Sequence, residues 1–299
     1  MESYAGKLAI VTGGGSGMGR ELVRQLAVQG CSVAACDLDA DSLAETVDLA
    51  AREAGGVVSA GGSGVAGGAV VSGHECDVSD EPAVLRFRDQ ALAAHGADRV
   101  DLVFANAGIG GGGSFLNDPR EQWERVFAVN FWGVYYTARA FLPLLVASPE
   151  GVLVTTSSVN GFWASLGPGV PHTAYSTTKF AVKGLTEALI EDLRVNAPHV
   201  RVVLVMPGHV GTNILGNSLR AMGVTDAGEL EEANAFFRDT ALTTPAQAAT
   251  IILDGVQSGA WRVLVGPDAT MLDEFVRAHP EQAYDHEELA RQRATWLAG

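Results

Sequence analysis

The chain is poor in cysteine and in positive charge, and it holds no long apolar run. Its three cysteines, Cys31, Cys36 and Cys76, form neither a metal-binding spacing nor a C-x-x-C pair. An odd few in a chain this long imply reduced thiols, buried as small hydrophobes in a cytosolic protein. Twenty Lys and Arg stand against 35 Asp and Glu, a formal net charge of -15. Such a surface repels polyanions and argues against nucleic acid or an anionic membrane as partner. The opening residues lack the basic-then-apolar build of a secretory signal. Nothing approaches the roughly 18 apolar residues of a membrane span, because the run from Phe141 to Ala147 is short and broken by Pro143. Seven histidines show no H-x-x-x-H spacing and no clustered carboxylates, so no metal is expected. These absences leave a soluble, cytoplasmic protein that handles small molecules.

Glycine and valine are plentiful. Short apolar runs recur at Leu8 to Val11, Val33 to Cys36, Val70 and Val71, Leu102 to Ala105, Val152 to Thr156, Val202 to Val205, and Val263 to Val265. They read as strands buried on both faces. Segments of helical spacing separate them, for example Leu22, Leu26 and Ala27, then Val84, Phe87 and Ala91, then Phe180, Val182, Leu185, Ala188 and Leu189. The alternation predicts an α/β fold, a parallel sheet with helices on both faces and right-handed crossovers. Thr244-Pro245 predicts a helix start, with a Thr cap and Pro at the first helical position.

No repeat and no linker divides the chain, so residues 1–299 are expected to form one domain, with a core over about 7–268 and a helical tail over 269–299. One stretch breaks the rhythm: Gly55 to Gly73 holds eight glycines in 19 residues and no charge. It reads as a flexible insertion, a surface loop between the second helix and the third strand. The tail carries two helical patterns, Met271 to Ala278 and Glu287 to Leu297. The second, with Leu289, Trp296 and Leu297 as anchors, is expected to pack on the body or on a second subunit.

The first strand ends in Thr12-Gly13-Gly14-Gly15-Ser16-Gly17-Met18-Gly19, and a helical pattern starts near Gly17. Glycines here let the backbone turn sharply and let a pyrophosphate approach a helix amino terminus, where free N–H groups favour negative charge. Asp37 ends the second strand, 24 residues after Gly13, the spacing that sets a carboxylate on an adenosine ribose. NAD is therefore expected. A 2′-phosphate would face that carboxylate with a repulsion on the order of 4 kcal/mol at about 4 Å, and no Lys or Arg stands at Ser16 or Leu38 to offset it.

Tyr175 and Lys179 lie four residues apart in a helical stretch, which places phenol and ammonium on one face. A phenol of pKa about 10 is a poor base at neutral pH, and a neighbouring ammonium lowers that value. Upstream, Thr155-Thr156-Ser157-Ser158-Val159-Asn160-Gly161 ends a buried strand, so its hydroxyls emerge at the carboxyl edge of the sheet, where open α/β folds bind ligands.

In this order, Thr12-Gly13 through Gly19, Asn106-Ala107-Gly108, Ser158, Tyr175 with Lys179, and Pro207-Gly208 resemble the short-chain dehydrogenase/reductase family, over about Lys7 to Asp268. The glycine spacing looks like its compact single-domain branch. The resemblance implies a Rossmann-type doubly wound sheet of about seven strands in the order 3-2-1-4-5-6-7, with NAD across its carboxyl edge. It implies that Tyr175 is the general acid/base, that Lys179 binds the nicotinamide ribose and lowers the tyrosine pKa, that Ser158 orients substrate, and that Asn130 joins a proton relay to Lys179. Cofactor contacts are implied for Gly13, Gly15, Ser16, Gly17, Met18 and Gly19, for Asp37 and Leu38, and for Cys76, Asp77 and Val78. They are implied likewise for Asn106, Ala107 and Gly108, for Pro207, Gly208, Val210 and Thr212, and for Tyr175 and Lys179.

The interval from Ser158 to Tyr175 exceeds the family's usual one; Gly167, Pro168, Gly169 and Pro171 suggest a bulged loop there, and Ser157 rivals Ser158. Substrate is expected to meet Ser158, Asn160, His209 and Ile214. The segment from His209 to Thr240, read as a long loop, closes over substrate in this family, and its Ile214, Leu215, Leu219, Met222, Phe236 and Phe237 suit either an apolar pocket or packing of the lid. Phe162, Trp163 and Leu166 are candidates for the opposite wall, and His172 for a further contact. The expected activity is NAD-dependent interconversion of a secondary alcohol and a ketone, with a catalytically silent NAD-binding regulator or scaffold, or another NAD chemistry such as dehydration or epimerisation, as alternatives. A homotetramer or homodimer is implied, with the helices at about Pro119 to Ala147 and Thr173 to Val195 facing partners.

Overall fold

Along β1 (Leu8–Thr12) every residue is buried, with Ala9 and Val11 turned to one side of the sheet and Leu8 and Ile10 to the other. That is the signature of a strand covered on both faces. The computed structural model describes residues 1–55, 57–59, 62–64, 69–111, 113–165, 170–221 and 223–291. Beside β1 run β2 (Ser32–Asp37), β5 (Val70–Glu75), β6 (Leu102–Ala105), β7 (Val152–Thr156), β8 (Arg201–Pro207) and β9 (Arg262–Val265), all parallel. Counted among themselves these seven stand in the order 3-2-1-4-5-6-7, as expected of a Rossmann-type sheet.

The glycine-rich insertion departs from the expected surface loop. Its described residues include β3 (Val57–Ser59) and β4 (Gly62–Gly64), a pair of antiparallel strands that docks on β5 and extends the sheet. A strand edge at β5 offers unpaired N–H and C=O groups, and backbone pairing can satisfy them whatever the side chains.

Helices α1 (Gly17–Val28), α2 (Ala40–Glu53) and α9 (Pro245–Ser258) cover one face, burying Leu22, Leu26, Leu43, Ile252 and Leu253. Helices α3 (Glu81–His95), α5 (Gly133–Val146) and α6 (Thr173–Asn196) cover the other, burying Phe87, Phe141, Leu145 and Leu193. Each such leucine contributes roughly 1.5–3 kcal/mol of transfer free energy. The predicted start of α9 is present as a full capping box, Thr244 and Gln247 answering one another's backbone N–H. Between α4 (Arg120–Phe127) and α5 the chain makes a π-helical turn, Ala128–Trp132.

The segment after β8 is not one long loop. It folds into α7 (Ile214–Ala221) and α8 (Ala227–Asp239), the second capped by Asp226. The tail forms α10 (Pro267–Ala278), and residues 286–291 are helical. Trp296 and Leu297, like Leu166, Gly167, Pro168, Gly169 and Met222, lie outside the described residues. The three cysteines are free and buried.

Two histidines share a hydroxyl at the margin between β5 and α3. Ser72 Oγ lies 2.9 Å from Nε2 of both His74 and His95. Burial, with the neighbouring His74, pulls His95 down to about 4. An unfolded histidine titrates near 6.5, so between about pH 6.5 and 4 the unfolded chain binds more protons and stability falls as the pH falls. Thermal melts over that window should show a shallower decline for His95→Gln than for the wild type; parallel curves would remove His95 from the account.

Candidate active site

The carboxyl ends of β1, β2, β6, β7 and β8 open into one cleft of about 790 Å³. At its floor the glycine turn takes the conformations that require glycine: Gly13 and Gly17 have φ of 70° and 53°. A Cβ on Gly19 would stand 1.9 Å from the Gly13 carbonyl oxygen, and one on Gly13 would stand 2.9 Å from Ala107 Cα. The turn, α1 and the Asn106-Ala107-Gly108 strand end are therefore in direct backbone contact. Ser16, the N-cap of α1, makes no side-chain capping bond, so the helix amino terminus presents donors to the cleft. Asn106 donates to Thr12 O at 3.1 Å, but its buried Oδ1 has no partner among the described residues. A polar, glycine-floored cleft with free N–H groups fits the phosphates of a dinucleotide.

Asp37 stands at the rim. Gly15 N–H donates to its Oδ2 at 2.8 Å and Asp39 N–H to its Oδ1 at 3.1 Å. Asp39, not Asp37, caps α2, which leaves the Asp37 carboxylate facing the cleft beside Leu38. Cys76, Asp77 and Val78 line the neighbouring wall, where Arg125 Nη2 lies 3.2 Å from Asp77 Oδ2.

At the far end Ser158, Tyr175 and Lys179 meet. Lys179 is buried and its Nζ donates to Thr156 O at 3.0 Å, 5.3 Å from the centroid of the Tyr175 ring. Desolvation opposes the expected lowering of the tyrosine pKa. Burial pushes the phenol up to about 12, with the Ser158 hydroxyl opposing, and pulls the ammonium down to about 8. Both serines line the cleft: Ser157 Oγ donates to Lys179 O at 2.7 Å and anchors α6, whereas the Ser158 hydroxyl shares a hydrogen bond with the Tyr175 phenol. Asn130 is buried in the π-helical turn, where Oδ1 accepts from Ile109 N–H and Nδ2 donates to Ile109 O, at 2.8 and 2.9 Å. It thereby fixes the loop beside Lys179.

Pro207, Gly208, Val210, Thr212 and Ile214 line the cleft. Two proposed substrate contacts do not. Asn160 spends its amide on the carbonyls of Trp163 and Ser165, at 2.9 and 3.0 Å. His209 donates through Nε2 to Phe237 O at 2.9 Å and packs at a tilt against that ring, pinning α8 to β8. Phe162 lies over Arg262, and Trp163 is buried with Nε1 bonded to Ala283 O, so neither forms the expected wall. His172 packs on the Tyr175 ring at 4.6 Å, and burial pulls it down to about 4. Residues the sequence reading missed include Arg20, Arg125, Asn217 and Arg220, all in the cleft. Arg20 adjoins the glycine turn and was legible; Arg220 is brought in by tertiary folding alone.

A family model described as short chain dehydrogenase matches residues 7–222. The chain belongs to the short-chain dehydrogenase family. Across this short-chain dehydrogenase, an oxidoreductase named SadH from Mycobacterium tuberculosis is 37% identical over 278 residues, 93% of this chain and 92% of that one. A (3R)-3-hydroxyacyl-CoA dehydrogenase of Canis lupus familiaris is 34% identical over 69% of this chain and 74% of its own. Among solved structures, a short-chain dehydrogenase/reductase from Burkholderia phymatum in complex with NAD superposes with a TM-score of 0.76 at 29% identity, covering 93% and 97% of the two chains. A metagenomic short-chain oxidoreductase in complex with NADP gives 0.63 at 27% identity, covering 87% and 97%. The short-chain dehydrogenase described here is thus an oxidoreductase whose fold binds a nicotinamide dinucleotide.

Its glycine floor is directly testable. Gly19→Ala sets a methyl group into the Gly13 carbonyl, so α1 must shift. Calorimetric titration should show dinucleotide affinity reduced at least about a hundredfold, with a lowered melting temperature; unchanged affinity would contradict the close approach.

Proposed function

We propose that the protein is an NAD-dependent oxidoreductase interconverting a secondary alcohol and a ketone, with Tyr175 as general acid/base. The observation that carries this reading is the convergence of Ser158, Tyr175 and Lys179 at one end of a cleft whose other end is gripped by Asp37. The nicotinamide, when bound, supplies or accepts the hydride. The protein positions the partners and moves the proton. In reduction, Tyr175 Oη gives its proton to the carbonyl oxygen as the carbinol forms, while the Ser158 hydroxyl donates a hydrogen bond to that oxygen. In oxidation the alcohol proton returns to Tyr175 Oη. Lys179, when charged, favours the phenolate left after proton transfer. A phenol pushed up to about 12 is protonated at neutral pH, which suits the reductive direction.

NAD is favoured by the Asp37 carboxylate, which welcomes ribose hydroxyls and repels a 2′-phosphate. Ile214 and Phe237 in the cleft lining support an apolar alcohol or ketone as substrate. Trp132 and Phe180, on the faces expected to meet a second copy, are about 41% and 42% exposed, which supports a homodimer or homotetramer. The single-domain, cytoplasmic reading is kept with it.

Tyr175→Phe should leave NAD affinity within about twofold and lower turnover at least about a hundredfold, the lower end of general acid–base contributions. The check is absorbance of reduced nicotinamide over a panel of alcohols and ketones. Wild-type binding of NAD without turnover of any panel member would favour a silent dinucleotide-binding regulator instead. Oxidation should accelerate as the pH rises from 7 to 9, because proton acceptance needs the phenolate; a rate flat over that range would argue against Tyr175 as the base.

A further inference from the structure

Four cations line the cleft among the described residues: Arg20, Arg125, Lys179 and Arg220. Three are committed. Arg20 donates to Gly15 O, Thr46 Oγ1, Ser42 O and Glu45 Oε2, at 2.6–3.2 Å. Arg125 bonds Asp77 and Ser79, and Lys179 bonds Thr156 O. Among the described residues Arg220 has a single ion-pair partner, Asp39, at 3.5 Å from Nη1 to Oδ2, with side chains 58% and 42% exposed. Exposed pairs of this kind hold weakly and exchange readily.

Helix α7 carries Arg220 across the cleft. Asn217 Nδ2 donates to Ser16 Oγ at 3.3 Å, and Gly110 N–H donates to Ser218 Oγ at 2.7 Å, so the helix lies over the glycine turn. Arg220 follows Asn217 by one turn and reaches the end of β2, where Asp37, Leu38, Asp39 and Ser42 form the same wall. Asp39 does not depend on the arginine, because Ser42 N–H donates to its Oδ1 at 3.0 Å.

We propose that Arg220 is a lid-borne specificity residue that exchanges Asp39 for a 2′-phosphate on the adenosine ribose, giving a cleft built around Asp37 a limited tolerance for NADP. The inference rests on the dinucleotide reading of the cleft. A guanidinium engages phosphate oxygens through paired donors, a stronger match than one exposed carboxylate. Repulsion from Asp37 and Asp39 opposes it, so the preference for NAD is reduced rather than reversed.

The test is calorimetric binding of NAD and of NADP to the wild type, Arg220→Ala and Asp39→Asn. Wild-type protein should bind both, NAD more tightly. Arg220→Ala should weaken NADP about tenfold and leave NAD within about twofold. Asp39→Asn keeps a good helix cap, removes one repelling charge and frees the arginine, and should tighten NADP several-fold. Equal losses for NAD and NADP in Arg220→Ala would make the residue a lid support only and overturn the proposal. So would unchanged NADP binding, or a wild type that binds NAD but not NADP. A wild type that binds neither dinucleotide would overturn the reading of the cleft itself.

Discussion

An ammonium taken out of water where β7 ends is the interaction on which the reactive end of the cleft depends. Lys179 is about 3% exposed and holds one backbone acceptor, Thr156 O. Burying charge is costly, and the same dry corner opposes ionisation of Tyr175 one helical turn away. Both groups are thus driven toward their neutral forms, so the ammonium gives up its proton more readily than in water and the phenol less readily. The surroundings hold this arrangement still. Ser157 ties the Lys179 backbone to the strand end, and Thr155 and Thr186 share a buried hydrogen bond 2.7 Å long between β7 and α6.

Much of this architecture is legible in the sequence. Valine-rich strands and intervening helices follow from burial periodicity, and the glycine turn follows from steric demands that few other residues meet. Tyr175 and Lys179 are readable because helical spacing fixes their relative position. Asn160 and His209 show where that logic stops: a residue beside a functional segment can turn its side chain inward, and only the fold reveals the carbonyls of Trp163, Ser165 and Phe237 that satisfy them. The direction of the tyrosine shift was likewise hidden, because desolvation is a property of packing and not of neighbouring residue type. Glycine-rich composition suggested a loop between α2 and β5, yet an open sheet edge recruited part of it as paired strands.

The two ends of the cleft solve different electrostatic problems. Near Tyr175 few charges are present and burial sets the proton affinities. Near Asp37 carboxylates and guanidiniums are numerous, half-exposed and paired, so charge balance decides what fits. Helix α7 joins the two regimes: Ile214 at its start lines the cleft beside Thr212, and Arg220 near its end reaches Asp39. Movement of that one element alters the apolar and the ionic ends together.

The added hairpin also changes how the sheet terminates. Without it β5, six residues long, would be the outermost strand of the margin. With it the margin is β3, three residues long. A strand that brief presents few backbone groups in register to a stray chain, so the hairpin leaves this margin of the sheet with less pairing surface than β5 would expose.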